Sequence, residues 1–134
     1  MQTLKSINDL GRHTQAIQGE LSAAIERVLR SGWFVLGPEV TAFEQEFAGY
    51  CGTEHCISLA NGTDALELAL RALDTGAGKT VLTVANAGMY STIAILAAGA
   101  RPVFADVRPD TLLMDSTDVA RILERQKIDA IIVT

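Results

Sequence analysis

From residue 53 onward the sequence alternates between two grammars, and that alternation constrains the fold more than any other feature. Short apolar runs rich in β-branched residues are followed by stretches with helical spacing. Cys56–Leu59, Thr80–Val84, Pro102–Val107 and Ile128–Val133 read as strands. Thr63–Leu73, Tyr90–Ala98 and Ser116–Gln126 read as helices, the last with Ser116 at its N-cap. The strands are almost continuously apolar, the pattern of strands covered on both faces. Such strand–helix–strand units predict an α/β fold, a mostly parallel sheet with helices on both faces. The last run, DAIIVT, closes inside or at the end of a predicted buried strand. It therefore reads as the truncated front of a larger sheet or, alternatively, as an edge strand completing four.

Residues 1–52 form a separate, helical segment ahead of this α/β portion at 53–134. Ile17, Leu21, Ala24, Ile25, Val28 and Leu29 fall at three- and four-residue steps and predict a helix over Gln15–Arg30. The run SGWFVLGPEV ends it. Pro38 and Glu39 suit the first turn of a second helix, where the missing proline N–H costs nothing and an acid complements the dipole. Val40, Phe43, Phe47 and Tyr50 continue that helix on one stripe.

Composition narrows the function. A net charge of −5 with scattered arginines argues against a nucleic-acid partner, which needs a basic face. Cys51 and Cys56, with four residues between them, lack metal-pair spacing, as do His13 and His55, and the two cysteines read as reduced cytoplasmic thiols. The amino terminus has no apolar core of a secretory signal. Thr80–Ala100 carries no charge and could span a membrane by length, but Asn86, Gly88, Ser91 and Thr92 interrupt it. A buried strand, a polar turn and a buried helix account for it, and no membrane association is expected.

Three turns are candidates for chemistry. In LANGTDALELALRAL, a strand delivers the chain to Asn61 and Gly62, and a helix starts at about Thr63. Gly62 allows close backbone approach. The free N–H groups of Thr63, Asp64 and Ala65, with the Thr63 hydroxyl and the helix dipole, would cradle a phosphate. The same residues also fit a plain strand–helix turn capped by Thr63. GAGKT at Gly76–Thr80 imitates a P-loop, but Leu73 stands where its first glycine belongs and the order is helix-then-strand, so it reads as a surface turn. VANAGMYSTIAIL follows the second strand, at the edge where such sheets bind ligands, and offers Asn86, Met89, Tyr90, Ser91 and Thr92. Asp106 reads as a strand-end residue.

The runs FVLGPEVTAFEQEFAGYCG and NGTDALELALRAL, then the strand–turn–helix through GARPVFADV, resemble the opening of the DegT/DnrJ/EryC1/StrS sugar aminotransferases. The resemblance runs from about Trp33 to Thr134. It implies part of the large domain of a PLP-transferase (type I aminotransferase) fold, a cytoplasmic homodimer with shared active sites, and pyridoxal 5′-phosphate as cofactor. The implied reaction is transamination of a nucleotide-linked keto-sugar with an amino-acid donor, usually glutamate or glutamine. Gly62, Thr63 and Asp64 would then bind the cofactor phosphate. Where the family places an aromatic over the pyridine ring, this sequence has Gly88 or Met89 with Tyr90 adjacent, so either Met89 or Tyr90 would cover the ring. The family's Schiff-base lysine has no counterpart. Lys5, Lys79 and Lys127 are the lysines, and none sits in its context. No turnover is therefore expected of this chain alone. Two other outcomes fit the residues: a non-catalytic binding remnant, or part of a PLP-dependent sugar dehydratase.

Overall fold

Thr80–Val84, here β1, is the centre of the sheet because every one of its residues is buried. Its apolar, β-branched sequence TVLTV has no wet face to offer, so both sides must be covered. In the computed structural model, which describes residues 8–134, β1 lies between β2 (Arg101–Ala105) and β3 (Ala130–Ile131), all parallel. Thr80 pairs with Arg101 and Val84 with Ala105, while Val81 pairs with Ala130. The helices α4 (Gly62–Ala72), α5 (Tyr90–Ala97) and α6 (Ser116–Arg125) supply the cover. Val81 packs with Leu70 of α4 and Ile95 of α5; Leu82, pointing the other way, packs with Ile122 of α6. The expected parallel α/β layering with helices on both faces is present.

These elements belong to one compact unit, Leu59–Thr134; the residues up to Ser58 form another. In that other unit Asp9 caps α1 (Leu10–Ala16), its carboxylate accepting from Arg12 N–H at 3.0 Å. The single helix expected over Gln15–Arg30 is instead α1 followed by α2 (Gln18–Ser31), with the break at Ile17. Gly32, at φ 66°, terminates α2 in the left-handed conformation that glycine adopts without strain. Pro38 opens α3 (Pro38–Cys51), as its fixed φ favours. Along α3, Phe43, Phe47 and Tyr50 form an aromatic row with successive centroids 5.5 and 6.1 Å apart, all three exposed. Arg27 and Glu39 join α2 to α3 through a two-pronged ion pair.

Three expectations need correction. Cys56–Leu59 forms no strand. A strand exists only where a neighbour accepts its ladder, and Ser58 N–H instead donates to the Glu44 carboxylate at 2.7 Å. The last strand shrinks to Ala130–Ile131, although Asp129 and Ile132 still donate to Thr80 and Leu82 carbonyls at 2.8 and 2.9 Å. The N-cap of α6 is Asp115 rather than Ser116, its carboxylate accepting from Thr117 N–H at 2.8 Å. Among the described residues, no helix is long and apolar enough to cross a membrane.

Candidate cofactor site

Helix α4 begins with two adjacent local decisions. Asn61, extended at φ −163°, stops the incoming chain and turns its side chain onto the helix. Its Oδ1 accepts from Asp64 N–H at 2.9 Å, and its Nδ2 donates to the Asp64 carboxylate at 2.9 Å. Ala65 N–H donates to the Asn61 carbonyl at 3.1 Å. Two of the three amides expected to serve a phosphate are therefore already bonded within the protein. What remains free among the described residues is the pair at the very tip, Gly62 and Thr63 N–H, together with the Thr63 hydroxyl.

These donors open onto a cavity of about 520 Å³. Its wall combines Asn61, Gly62 and Thr63 of the α4 tip with Ala87 and Gly88 from the turn after β1, and Tyr90 and Ser91 from the start of α5. It sits at the carboxyl edge of the sheet, where the turns following parallel strands leave room for ligands. No charged side chain lines it. An anion there would be met by amide dipoles and hydroxyls rather than by lysine or arginine.

Among the expected site residues, Gly62, Thr63 and Tyr90 come together at this cavity. Asp64 does not reach its wall, because Asn61 holds both its N–H and its carboxylate. Met89 is the N-cap of α5, exposed and off the wall. Ser91 was legible only as one polar residue in a turn; its burial at the wall comes from packing. Gly88 has a definite use: a Cβ there would stand 2.4 Å from Tyr90 Cε2, so the ring lies where only glycine leaves space.

The lysines sit elsewhere. Lys79 directly precedes β1 and Lys127 precedes β3, both at the amino edge of the sheet, and both pair with Asp129, at 3.4 and 3.1 Å. Thr80 N–H also donates to Asp129 at 2.9 Å. That amide and the two ammonium groups push the Asp129 carboxyl down to about 2, against partial desolvation. GAGKT is the turn before β1, with Lys79 N–H bonded to the Gly76 carbonyl, and not a phosphate loop. Lys5 lies outside the described residues. Asp106 accepts from Val107 N–H, as a strand-end residue does. Cys51 and Cys56 are free thiols, and the described residues hold no cluster of metal-ligating side chains.

Comparison with known proteins decides what this arrangement belongs to. Residues 15–134 match the DegT/DnrJ/EryC1/StrS aminotransferase family. The chain belongs to that family. A family relative from Aneurinibacillus thermoaerophilus, dTDP-3-amino-3,6-dideoxy-alpha-D-galactopyranose transaminase, is 48% identical over 102 residues, covering 76% of this chain and 28% of its own. A crystal structure of a family aminotransferase from Brucella abortus superposes with a TM-score of 0.85 at 36% identity, over 96% of this chain and 36% of that one. A protein of Streptococcus pneumoniae assigned as a sugar aminotransferase, in its PLP-form, gives 0.71 at 34% identity, over 78% and 26%. The chain spans roughly a third of the length of these family members. Its α/β unit is part of a type I aminotransferase fold.

Proposed function

We propose that this chain supplies the phosphate-holding part of a pyridoxal-phosphate-dependent aminotransferase that acts on a nucleotide-linked keto-sugar and draws its amino group from an amino acid. The carrying observation is the cavity at the tip of α4, where Gly62 and Thr63 present unbonded amides and a hydroxyl with no acidic side chain on the wall. The donor set fits a phosphate monoester, since helix N-termini bind such dianions through backbone N–H groups and the dipole. Pyridoxal phosphate, when bound, supplies the electron sink for moving an amino group. Gly62 and Thr63 would hold the phosphate. Asn61 and Asp64 would set the angle of the tip without touching the ligand. Tyr90, whose ring lies on the cavity wall beside Gly88, would cover one side of the cofactor, with Met89 at the rim.

Proton transfer at the cofactor needs a base within reach. Neither Lys79 nor Lys127 can serve, because both are committed to Asp129 at the far edge of the sheet. The covalent lysine of the working enzyme must therefore come from outside residues 8–134. The exposed apolar surface of the first unit, Leu21, Ile25 and Leu29 on α2 and the aromatic row on α3, supports a dimer as the working form. The free thiols fit a reducing cytoplasm.

The test is calorimetric titration of the chain with pyridoxamine 5′-phosphate, which has no aldehyde to react with surface lysines. Saturable binding that weakens about tenfold in Thr63→Val is expected, the loss of one charge-assisted hydrogen bond. No heat with the wild-type chain overturns the reading. Amino-donor-dependent conversion of a keto-sugar nucleotide by the chain alone would overturn the assignment of the lysine to another segment.

A further inference from the structure

Ser91 is a polar residue placed where a structural role does not explain it. It is 3% exposed, it stands in the first turn of α5, and it lines the same cavity as Thr63. Its hydroxyl makes no hydrogen bond among the described residues, and its oxygen is not one of the fully enclosed unpaired ones, which are Ser58 Oγ and Thr83 Oγ1. An unbonded hydroxyl that is not fully enclosed, on a residue lining a cavity, is free to donate to a group that enters that cavity. The helix that carries it is open in the same sense. Its N-cap, Met89, has no side chain able to accept, and the amides of Tyr90 and Ser91 have no acceptor among the described residues. The cavity is thus walled by the beginnings of two helices, α4 and α5, each with unbonded donors, and by no acidic side chain.

We propose that Ser91 is a second phosphate-binding residue: its hydroxyl donates to the phosphate monoester held by Gly62 and Thr63, so that the anion is gripped from two helix N-termini rather than one. This rests on the reading of the cavity as a cofactor-phosphate site, and adds to it a contact from a different element. The ligand chemistry is a phosphate monoester, with inorganic phosphate as its minimal form.

The experiment titrates the full 134-residue chain with pyridoxamine 5′-phosphate, with inorganic phosphate, and with pyridoxamine, which lacks the phosphate. Ser91→Ala should weaken pyridoxamine 5′-phosphate and inorganic phosphate in parallel, by about tenfold, and leave pyridoxamine unchanged. Ser91→Cys, close in shape but a poor donor, should show the same loss. The free protein supplies the second readout. Because the hydroxyl bonds to nothing in the protein, Ser91→Ala should melt within about 2 °C of the wild type, while its ligand-induced rise in Tm shrinks. Equal loss for pyridoxamine would place Ser91 against the ring and overturn the proposal. So would unchanged affinity for all three probes, or a large fall in the melting temperature of the free protein. If Thr63→Val loses binding and Ser91→Ala does not, the cofactor reading stands and this inference falls. If the wild-type chain binds neither phosphate-bearing probe, both fall.

Discussion

Asn61 and Asp64 hold each other through two hydrogen bonds of 2.9 Å, amide oxygen to backbone N–H and amide nitrogen to carboxylate. The pair does two jobs at once. It satisfies one of the orphan donors at the start of α4, and it ties the Asp64 carboxylate to Asn61, so that the wall of the cavity carries no negative side chain. Replacing Asn61 by alanine removes both bonds. The expected cost is about 1 kcal/mol in urea denaturation, the usual worth of an N-cap. Asn61→Ser keeps an acceptor for the Asp64 N–H and should recover most of that loss. An unchanged midpoint in Asn61→Ala would show that the cap carries no stability.

Thr83 offers the opposite case, a polar group whose removal should help. It is fully buried in the central strand, and its hydroxyl oxygen has no hydrogen-bond partner. Valine has nearly the same shape and a strand preference at least as good. Thr83→Val should therefore stabilise the protein by about 1 kcal/mol, by abolishing the desolvation of an unpaired hydroxyl. The neighbouring Leu82→Ala, which empties part of a closed core, should cost about 2–5 kcal/mol. A destabilised Thr83→Val would mean that the hydroxyl finds a partner in solution.

Much of this fold could be read in advance because its central strand has no exposed residue. TVLTV, bounded by a turn and a loop, can only be a doubly covered strand, and its predicted limits coincide with the observed ones. Cys56–Leu59 failed because strand formation depends on a partner, which local composition does not disclose. The same reason shortens the run ending at Ile131. At the N-cap of α6, Asp115 and Ser116 are both good caps in adjacent positions, and the choice rests on one residue's φ and ψ. The α4 tip was legible as a glycine and a threonine before an apolar helix. Asn61 claims two of its amides, those of Asp64 and Ala65, and how the amides divide between cap and ligand depends on the extended backbone of Asn61, which the residue order does not disclose. Ser91 could not be singled out, since nothing in its neighbourhood along the chain reports that α5 will bury it against the cavity.

Asp129 sets the acid limit of the sheet's amino edge. Its carboxyl is held at about 2, below the ordinary value of 3.8, by the Thr80 amide and by Lys127 and Lys79. A depressed folded-state value means that this carboxylate stabilises the protein fully above pH 4, and that the contribution disappears as pH falls from about 4 towards 2. Glu39, Asp110 and Asp118 are also lowered, by Arg27, by Arg108 and by the Asp106 amide respectively, so the wild-type curve alone does not isolate Asp129. Asp129→Asn does. The stability difference between wild type and Asp129→Asn, measured by denaturant unfolding, should be flat from pH 7 to 5 and shrink steadily below pH 4. A difference that is constant down to pH 2.5 would contradict the assignment.

The contact between Gly88 and Tyr90 gives the sharpest test of how the cavity is closed. The Tyr90 ring lies over the Gly88 backbone, with Cε2 and Cδ2 only 2.4 and 2.8 Å from where an alanine Cβ would stand. Gly88→Ala must therefore push the ring away, and since Tyr90 is 65% exposed the ring has somewhere to go. Stability should change by less than about 1 kcal/mol, as for a surface rotamer shift. Ligand binding should suffer more. If the ring covers the cofactor, Gly88→Ala and Tyr90→Ala each weaken pyridoxamine 5′-phosphate several-fold, and the double variant is no worse than the more damaging single one. That non-additivity is expected because the two substitutions remove the same contact by different routes. Additive losses, or full affinity in Tyr90→Ala, would instead assign the cover to another residue of the turn, and the exposed Met89 beside it is then the one to replace.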